Sequence, residues 1–405
     1  MPERRVIDLF AGAGGWDEGL RRLGYEAVGI DVDKWACETA QAAGHERLVA
    51  DVAALDPREF GPVWGLIASP PCQAWSVAGR GLGREDKPQV IACVHELTAG
   101  SDTRAERLAA CSDPRSLLTV EPLRWTLALR PRWVAFEQVP PVLGLWTLFA
   151  ALLSTVGYET AVGVLPAEQY GVPQTRTRAF LIASLDGPVQ LPAPTHRSYD
   201  PHRPDRVRDG EERLEPWVSM AAALGWSCPA VTYTNSQTHY GTRPRGLARS
   251  TDSPARTLDR SCRNWTIEPA SGAGGCRLDS GQRHTAVRPA RRRAPRLTVS
   301  GLAKCHAHWV CERPATTVLG DPRVQPPGHK HNRHDPPGRY PQRRGEHAVR
   351  ITVQQAAVLQ GFRPDYPWQG SQTEQFTQIG NAVCPPLARA VLAAAMRPSQ
   401  TRGRP

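Results

Sequence analysis

Lysine is scarce in this 405-residue chain: it stands only at Lys34, Lys87, Lys304 and Lys330, although lysine and arginine together number 50. Positive charge is therefore carried by arginine, whose planar fork engages phosphates and carboxylates as a lysine point charge does not. No uninterrupted apolar run reaches the roughly 18 residues that span a bilayer, and residues 1–30 show no signal-peptide pattern. A soluble protein of the cytoplasm, without membrane contact, is expected. The ten cysteines lack the spacing of a disulfide framework and are expected as reduced thiols, most of them small buried hydrophobes. With 40 % hydrophobic, 7 % aromatic and 22 % charged residues the chain is neither fibrous nor wholly disordered. At about 150 residues per domain, its length suits two or three domains with a sizeable core.

Charge is segregated along the chain. Residues 1–190 hold 18 basic and 23 acidic side chains, net −5; residues 191–350 hold 27 and 14, net +13; residues 351–405 hold 5 and 2, net +3. The middle segment also carries 10 of the 12 histidines and 18 of the 38 prolines. A codon preference would explain arginine over lysine but would spread it evenly. Clustered net charge is instead the footprint of a phosphate-rich partner.

The first segment alternates short apolar runs with amphipathic stretches. Arg5–Phe10 reads as a strand, Ala11–Gly15 as a glycine turn, and a helix follows through Leu23. Ala27–Ile30, Leu48–Ala50 and Val63–Ala68 read as strands, Lys34–Ala43 as a helix. This rhythm predicts an α/β fold with a doubly wound, mostly parallel sheet. Arg80–Asp113 is polar and poorly periodic and is expected as a long loop or a mobile segment. Pro114–Leu129 and Val142–Val156 read as helices, Trp133–Phe136 and Ala179–Ala183 as strands. From Leu191 the pattern gives way to Pro, Arg, His and Gly, with one apolar island at Val218–Trp226. A Pro-x-x-Thr-apolar core recurs at Pro254, Pro295 and Pro314 and predicts short edge-like strands in a smaller, irregular domain. Thr352 and Gln355 form a capping-box pattern for a helix that stops at Gly361, and Leu387–Met396 is a second helix. The expected divisions are 1–190, 191–350, 351–398 and a frayed tail, 399–405.

Four stretches at strand ends carry chemistry. The first is Asp8-Leu9-Phe10-Ala11-Gly12-Ala13-Gly14-Gly15, in the βα turn where nucleotides sit in such sheets. A dinucleotide fingerprint needs glycine where Asp17 stands, and the Gly-Lys-Ser/Thr of a P-loop is absent, so the turn suits a nucleoside without pyrophosphate. The Asp17 departure also disfavours a nicotinamide oxidoreductase. Asp31, at the end of the second strand, can accept from a ribose diol, and Asp51, after the third, from an adenine amino group. Glycines alone would suit any tight turn; acids at successive strand ends favour a nucleoside cofactor.

The second stretch, Ser69-Pro70-Pro71-Cys72, stiffens the chain and presents one thiol at the sheet's carboxyl edge. An inert buried cysteine is the default, but this placement points to a nucleophile, which reacts as thiolate. In the third, Glu137 can act as an acid or bond a bound base, or simply cap its strand. In the fourth, Gln174, Arg176 and Arg178 are spaced by two and face one way on an extended chain. Paired guanidiniums suit a carbonyl oxygen or a phosphate; an exposed basic edge strand is the plain alternative.

In this order the four stretches resemble the C5-cytosine DNA methyltransferase family of bacteria and phages. The glycine turn resembles its S-adenosylmethionine loop, Pro71-Cys72 its nucleophile motif, Glu137 the acid of its Glu-Asn-Val motif, and Gln174-x-Arg176-x-Arg178 its Gln-x-Arg-x-Arg motif. Asp113-Pro-Arg115-Ser-Leu-Leu118 resembles the stretch opening the helix before the glutamate strand, and Gln378-Ile-Gly380-Asn381-Ala-Val383 the final motif. Gln138 stands where the family usually has Asn, Trp75 where it has Phe, and Val32 where many members carry a larger residue.

The resemblance implies a class I S-adenosylmethionine-dependent methyltransferase fold with an inserted recognition region at 191–350, and a C-terminal segment returning to the catalytic domain. It implies S-adenosylmethionine bound by Phe10, Ala11, Gly12, Gly14, Gly15, Asp31, Val32, Asp51, Val52, Pro70, Asn381 and Val383. The catalytic set implied is Cys72, Glu137, Arg176 and Arg178, acting on a cytosine flipped out of duplex DNA and methylated at C5 through a Cys72 adduct. Modification of a bacterial or phage genome, with or without a cognate restriction endonuclease acting separately, a monomeric enzyme and a place in the bacterial cytoplasm or nucleoid are expected by the same route. Gln237, Arg243, Arg245 and Arg291-Arg292-Arg293 are candidate DNA contacts. Cys305, His308 and Cys311, with nearby histidines, match no common zinc spacing, so no metal is expected.

Overall fold

The computed structural model describes residues 4–75, 82–200, 203, 206–225 and 349–396, with four short strands between 230 and 269. Strands β1 (Val6–Leu9), β2 (Val28–Asp31), β3 (Glu46–Val49), β4 (Gly65–Ala68), β5 (Trp133–Gln138), β6 (Glu159–Pro166), the two-residue β7 (Gln174–Thr175) and β8 (Thr177–Ser184) fill the first 190 residues. All but β7 join one seven-stranded sheet in the order β3-β2-β1-β4-β5-β8-β6. Pairing is parallel from β3 to β5, and β8 runs antiparallel between β5 and β6. The expected doubly wound, mostly parallel sheet is what forms.

Helices cover both faces: α1 (Gly15–Arg21), α2 (Lys34–Ala42), α3 (Lys87–Thr98), α4 (Arg104–Ala109), α5 (Glu121–Leu129) and α6 (Leu143–Thr155), then α7 (Met220–Leu224), α8 (Val353–Gln360), α9 (Gln372–Asn381) and α10 (Pro385–Met396). Alternation along the strands sends Ile7 and Leu9 into a core with Phe136, Trp146 and Phe149, and Val6 into the opposite core with Trp16, Trp133 and Phe180. Burying each such side chain contributes roughly 1.5–3 kcal/mol. Trp133 lies over Gly65, its register partner on β4; a β-carbon on Gly65 would stand 2.1 Å from the indole.

The C-terminal helices return to this sheet. On α1, a β-carbon on Gly19 would meet the Ala388 methyl of α10 at 2.8 Å, and Val391 and Leu392 are fully buried. Both capping boxes, Thr352–Gln355 on α8 and Ser371–Glu374 on α9, are formed in both directions. Gln372–Met396 is long and apolar enough to cross a membrane by length and composition alone, a test that a buried core helix also passes, although polar residues interrupt its apolar run. It is two helices broken at the extended Ala382, and 56 % of its most apolar window is buried inside the protein.

Several expectations need correction. Arg80–Asp113 is not a long loop, since it contains α3 and α4. Pro114–Leu129 divides into a 3-10 segment, Pro114–Val120, and α5. Neither β6 nor α9 was expected. In the middle segment β9 (Ala230–Tyr233), β10 (Ala248–Ser250), β12 (Thr266–Pro269) and β13 (Val349–Arg350) form an antiparallel sheet in the order β10-β9-β12-β13, while β11 (Ala255–Arg256) pairs in parallel with β7. The Pro254 repeat thus carries a two-residue strand; those at Pro295 and Pro314 lie outside the described residues. The described cysteines, Cys37, Cys72, Cys93, Cys111 and Cys384, are free thiols, as expected.

Candidate active site

A cavity of about 570 Å³ opens at the carboxyl ends of the central strands. Phe10, Ala11, Gly12 and Gly15 of the turn after β1 line it, as do Asp31 and Val32 after β2, and Asp51 and Val52 after β3. Pro70, Cys72, Glu137, Arg176 and Arg178 line it too, and Asn381 and Val383 complete it. The candidate residues therefore converge, with one exception: Gly14 is not in the lining. Its φ of 104° ends the turn, and a β-carbon there would stand 2.6 Å from the Tyr366 hydroxyl.

The turn is held from beneath. Arg47 on β3 bonds Asp17 through both carboxylate oxygens, at 3.0 and 2.6 Å, and its Nε donates to Gly12 O at 3.3 Å. Burial opposes ionisation of Asp17, but the Arg47 guanidinium outweighs it and holds the carboxyl below its usual range. Arg47 went unnoticed in the sequence; the acidic Asp17 at a place where nucleotide turns prefer glycine was the available signal. Asp31 is oriented by the backbone, Oδ2 accepting from Gly12 N and Oδ1 from Asp33 N, each at 2.8 Å. Burial raises its pKa. Asp51 is exposed and accepts from Ala53 N at 2.9 Å.

This end of the cavity offers two carboxylates, exposed Val32, and backbone that approaches closely. A β-carbon on Gly15 would stand 2.2 Å from Val383 O. Its donor set fits an uncharged or cationic nucleoside better than a phosphate.

The other end holds the reactive groups. Cys72 is partly exposed at the strand end; burial raises its thiol pKa, the guanidiniums of Arg178 and Arg176 pull it down, and Glu137 pushes it up. Arg178 Nε and Glu137 Oε1 form a buried pair at 2.9 Å. Arg176 donates to Gly380 O at 2.7 Å, and burial followed by the Arg178 charge lowers its pKa to about 10. The Gln138 amide spans the loop, Nε2 donating to Pro70 O at 2.8 Å while Oε1 accepts from Val139 N at 2.6 Å. Gln174, on the same chain face as the arginines by its spacing, bonds Leu359 O and Gln360, whose own amide reaches Ala382 O at 2.6 Å. Arg115 also lines the cavity. In the sequence its motif marks only the start of a helix.

Gln237, Arg243, Arg245, Arg291–Arg293 and the Cys305–Cys311 cluster lie outside the described residues.

The family model for C-5 cytosine-specific DNA methylases matches residues 4–97 and 104–397. The chain belongs to this family. It is a DNA cytosine-5 methyltransferase, and as such uses a methyl donor. The break in the match, 98–103, takes in the last residue of α3 and the connection to α4 of this methylase. It is 24 % identical to type II methyltransferase M1.HphI of Haemophilus parahaemolyticus, over 96 % of this chain and 86 % of that protein. It is 24 % identical to type II methyltransferase M.AgeI of Thalassovita gelatinovora, over 96 % of this chain and 98 % of that one. With type II methyltransferase M.DdeI of Desulfomicrobium norvegicum identity is 31 %, but over only 44 % of this chain and 40 % of the relative. The solved S. pombe Dnmt2 methyltransferase superposes with a TM-score of 0.52 at 15 % identity, covering 97 % of this chain and 98 % of that one, a likeness of fold.

Proposed function

We propose that this methylase transfers a methyl group from S-adenosylmethionine to C5 of a cytosine flipped out of duplex DNA, through a covalent adduct to Cys72. The observation that carries the reading is the meeting of Cys72, the Glu137–Arg178 pair and the glycine turn in one cavity. Gly12, Gly15, Asp31, Val32, Asp51 and Val383 would hold the cofactor, with Phe10, Ala11, Val52, Pro70 and Asn381 around them and Gly14 shaping the turn. When bound, S-adenosylmethionine supplies an electrophilic methyl group.

The chain's own groups do the rest. A cytosine in the stack is out of reach, so it is flipped at a cost of a few kcal/mol. Burial leaves the Cys72 thiol pKa raised overall, with Arg178 and Arg176 opposing that rise. The thiol gives its proton to solvent as the base docks, and the thiolate adds to C6 of the ring. Glu137 bonds the N3/N4 edge as a general acid: its carboxyl proton passes to N3 as the thiolate adds at C6, leaving C5 nucleophilic without a net negative charge on the ring, and the proton returns to the carboxylate when Cys72 leaves. Arg178 keeps that carboxylate in place and is within the same cavity to meet the O2 carbonyl. After methylation, loss of the C5 proton and departure of Cys72 restore the ring.

Residues 1–190 with 351–398 form the catalytic unit in this reading, and the net +13 segment, residues 191–350, grips the duplex. The setting is the bacterial cytoplasm, with or without a separate restriction endonuclease, and one chain suffices. Bisulfite or nanopore mapping of DNA from a host expressing the chain should reveal 5-methylcytosine in one short sequence context. Unmodified DNA from cells holding folded protein would overturn the proposal.

A further inference from the structure

Asp86 has no place in the chemistry above, yet it is only 2 % exposed and its one carboxylate takes three hydrogen bonds. Oδ1 accepts from Ser112 N at 2.7 Å, and Oδ2 from Asp113 N at 2.9 Å and from the Ser116 hydroxyl at 2.6 Å. Burial opposes its ionisation, but the hydroxyl and the two backbone N–H groups outweigh that and lower its pKa. These partners lie 26 to 30 residues away in sequence, beyond α3 and α4. Asp86 does not cap α3 with its side chain, although it occupies the cap position. Its bonds are spent on joining two distant stretches.

Both stretches lead to Cys72. Three residues before Asp86, Gly83 N donates to Ala74 O at 2.9 Å, and a β-carbon on Gly83 would stand 2.8 Å from that oxygen and 3.0 Å from Trp75. Trp75 N in turn donates to Cys72 O at 3.0 Å. On the other side, the Asp113 carboxylate accepts from Arg115 N at 3.0 Å, Nε at 2.9 Å and Nη2 at 2.7 Å. Arg115 lines the cavity together with Cys72, with about half its side chain exposed at 52 %. Its pKa is raised chiefly by the Asp113 bonds, and a Cys72 thiolate adds to that effect.

We propose that Asp86 is a positioning residue: it fastens the stretch seated on the Cys72–Trp75 turn to the turn bearing Arg115, and so fixes Arg115 at the cavity beside Cys72. The proposal rests on the reading of Cys72 as nucleophile. A reactive cavity tolerates little displacement, since about 1 Å can cost on the order of a hundredfold in rate.

The test uses the purified full chain, mixed-sequence unmethylated plasmid DNA and tritiated S-adenosylmethionine. Asp86→Asn should lower kcat about ten- to a hundredfold while KM for S-adenosylmethionine stays within about twofold. Ser116→Ala, which removes one of the three bonds, should give a smaller loss of the same kind. Because Asp86 acts through Arg115, Asp86→Asn combined with Arg115→Ala should be no slower than the slower single variant. Additive losses, an unchanged kcat, or a rise in cofactor KM matching the loss in kcat, together with a lowered Tm, would each overturn the positioning role. If the parent transfers methyl groups equally well as Cys72→Ala, the underlying reading fails instead, whatever Asp86→Asn does.

Discussion

Glu137 Oε1 and Arg178 Nε meet at 2.9 Å across the antiparallel pair β5 and β8, both side chains almost fully buried. Among the described residues neither forms a second ion pair, although the Arg176 guanidinium also feels the Glu137 charge. Arg178→Ala should cost about 3–5 kcal/mol of stability, because a buried carboxylate is left uncompensated. Glu137→Gln keeps shape and hydrogen bonding and should cost less stability, but lower kcat by about a hundredfold or more, because an amide has no proton to pass to N3. Thermal denaturation and tritiated methyl transfer, run on both variants, separate the two effects.

Gln138 tests how a longer amide serves where the family usually has Asn. Its bonds to Pro70 O and Val139 N brace the segment carrying Cys72. Gln138→Asn is one methylene short of Pro70 and should lose that bond, lowering kcat about tenfold with cofactor affinity nearly unchanged. Gln138→Ala leaves both backbone groups unsatisfied and should destabilise by about 1–3 kcal/mol. Equal kinetics for parent and Gln138→Asn would show that the loop needs no such brace.

Gly15→Ala addresses the cofactor end. The added methyl would run into Val383 O, 2.2 Å away, forcing the turn from the C-terminal segment. S-adenosylmethionine affinity, measured by calorimetry, should fall about tenfold or more while DNA binding persists. Unchanged affinity would place the cofactor elsewhere.

Glu168 gives a pH dependence of stability. It is buried at 6 % exposure with Oε2 unpartnered, and burial raises its pKa from 4.5 to about 7. The folded state therefore holds a proton that the unfolded state releases. That contribution is present below pH 4.5 and is lost as pH rises towards 7, so stability falls across this window and levels off above it. Glu168→Gln should match the parent near pH 5 and exceed it by about 1–3 kcal/mol at pH 8 in urea denaturation.

The sequence was most legible where local chemistry decides structure. Apolar runs ending in acids or Pro-Pro-Cys gave β1 to β5 to within a few residues, and the Thr352–Gln355 box gave the start of α8. It was least legible where tertiary partners decide. α4 has no buried residue, and Arg104 and Arg107 hold it through Asp102, Glu121 and Glu96, so no apolar periodicity marks it. β6 lies on the sheet edge with few buried residues, so it shows no clean alternation. Two signals were present but unread: Pro88 in the first turn of α3, and the Ser371–Glu374 box before α9. At the active site, spacing by two placed Gln174, Arg176 and Arg178 on one chain face. Their three different partners, Gln360, Gly380 and Glu137, are supplied by segments far along the chain and could not be read from that spacing.

The covalent role of Cys72 is tested most directly by incubating the chain and S-adenosylmethionine with duplex DNA containing 5-fluorocytosine throughout. Fluorine at C5 blocks the final proton loss, so the enzyme should be trapped on the DNA as a complex that survives denaturing gel electrophoresis. The parent should form it and Cys72→Ala should not. A trapped complex with Cys72→Ala, or none with a parent that methylates ordinary DNA, would contradict nucleophilic attack by this thiol.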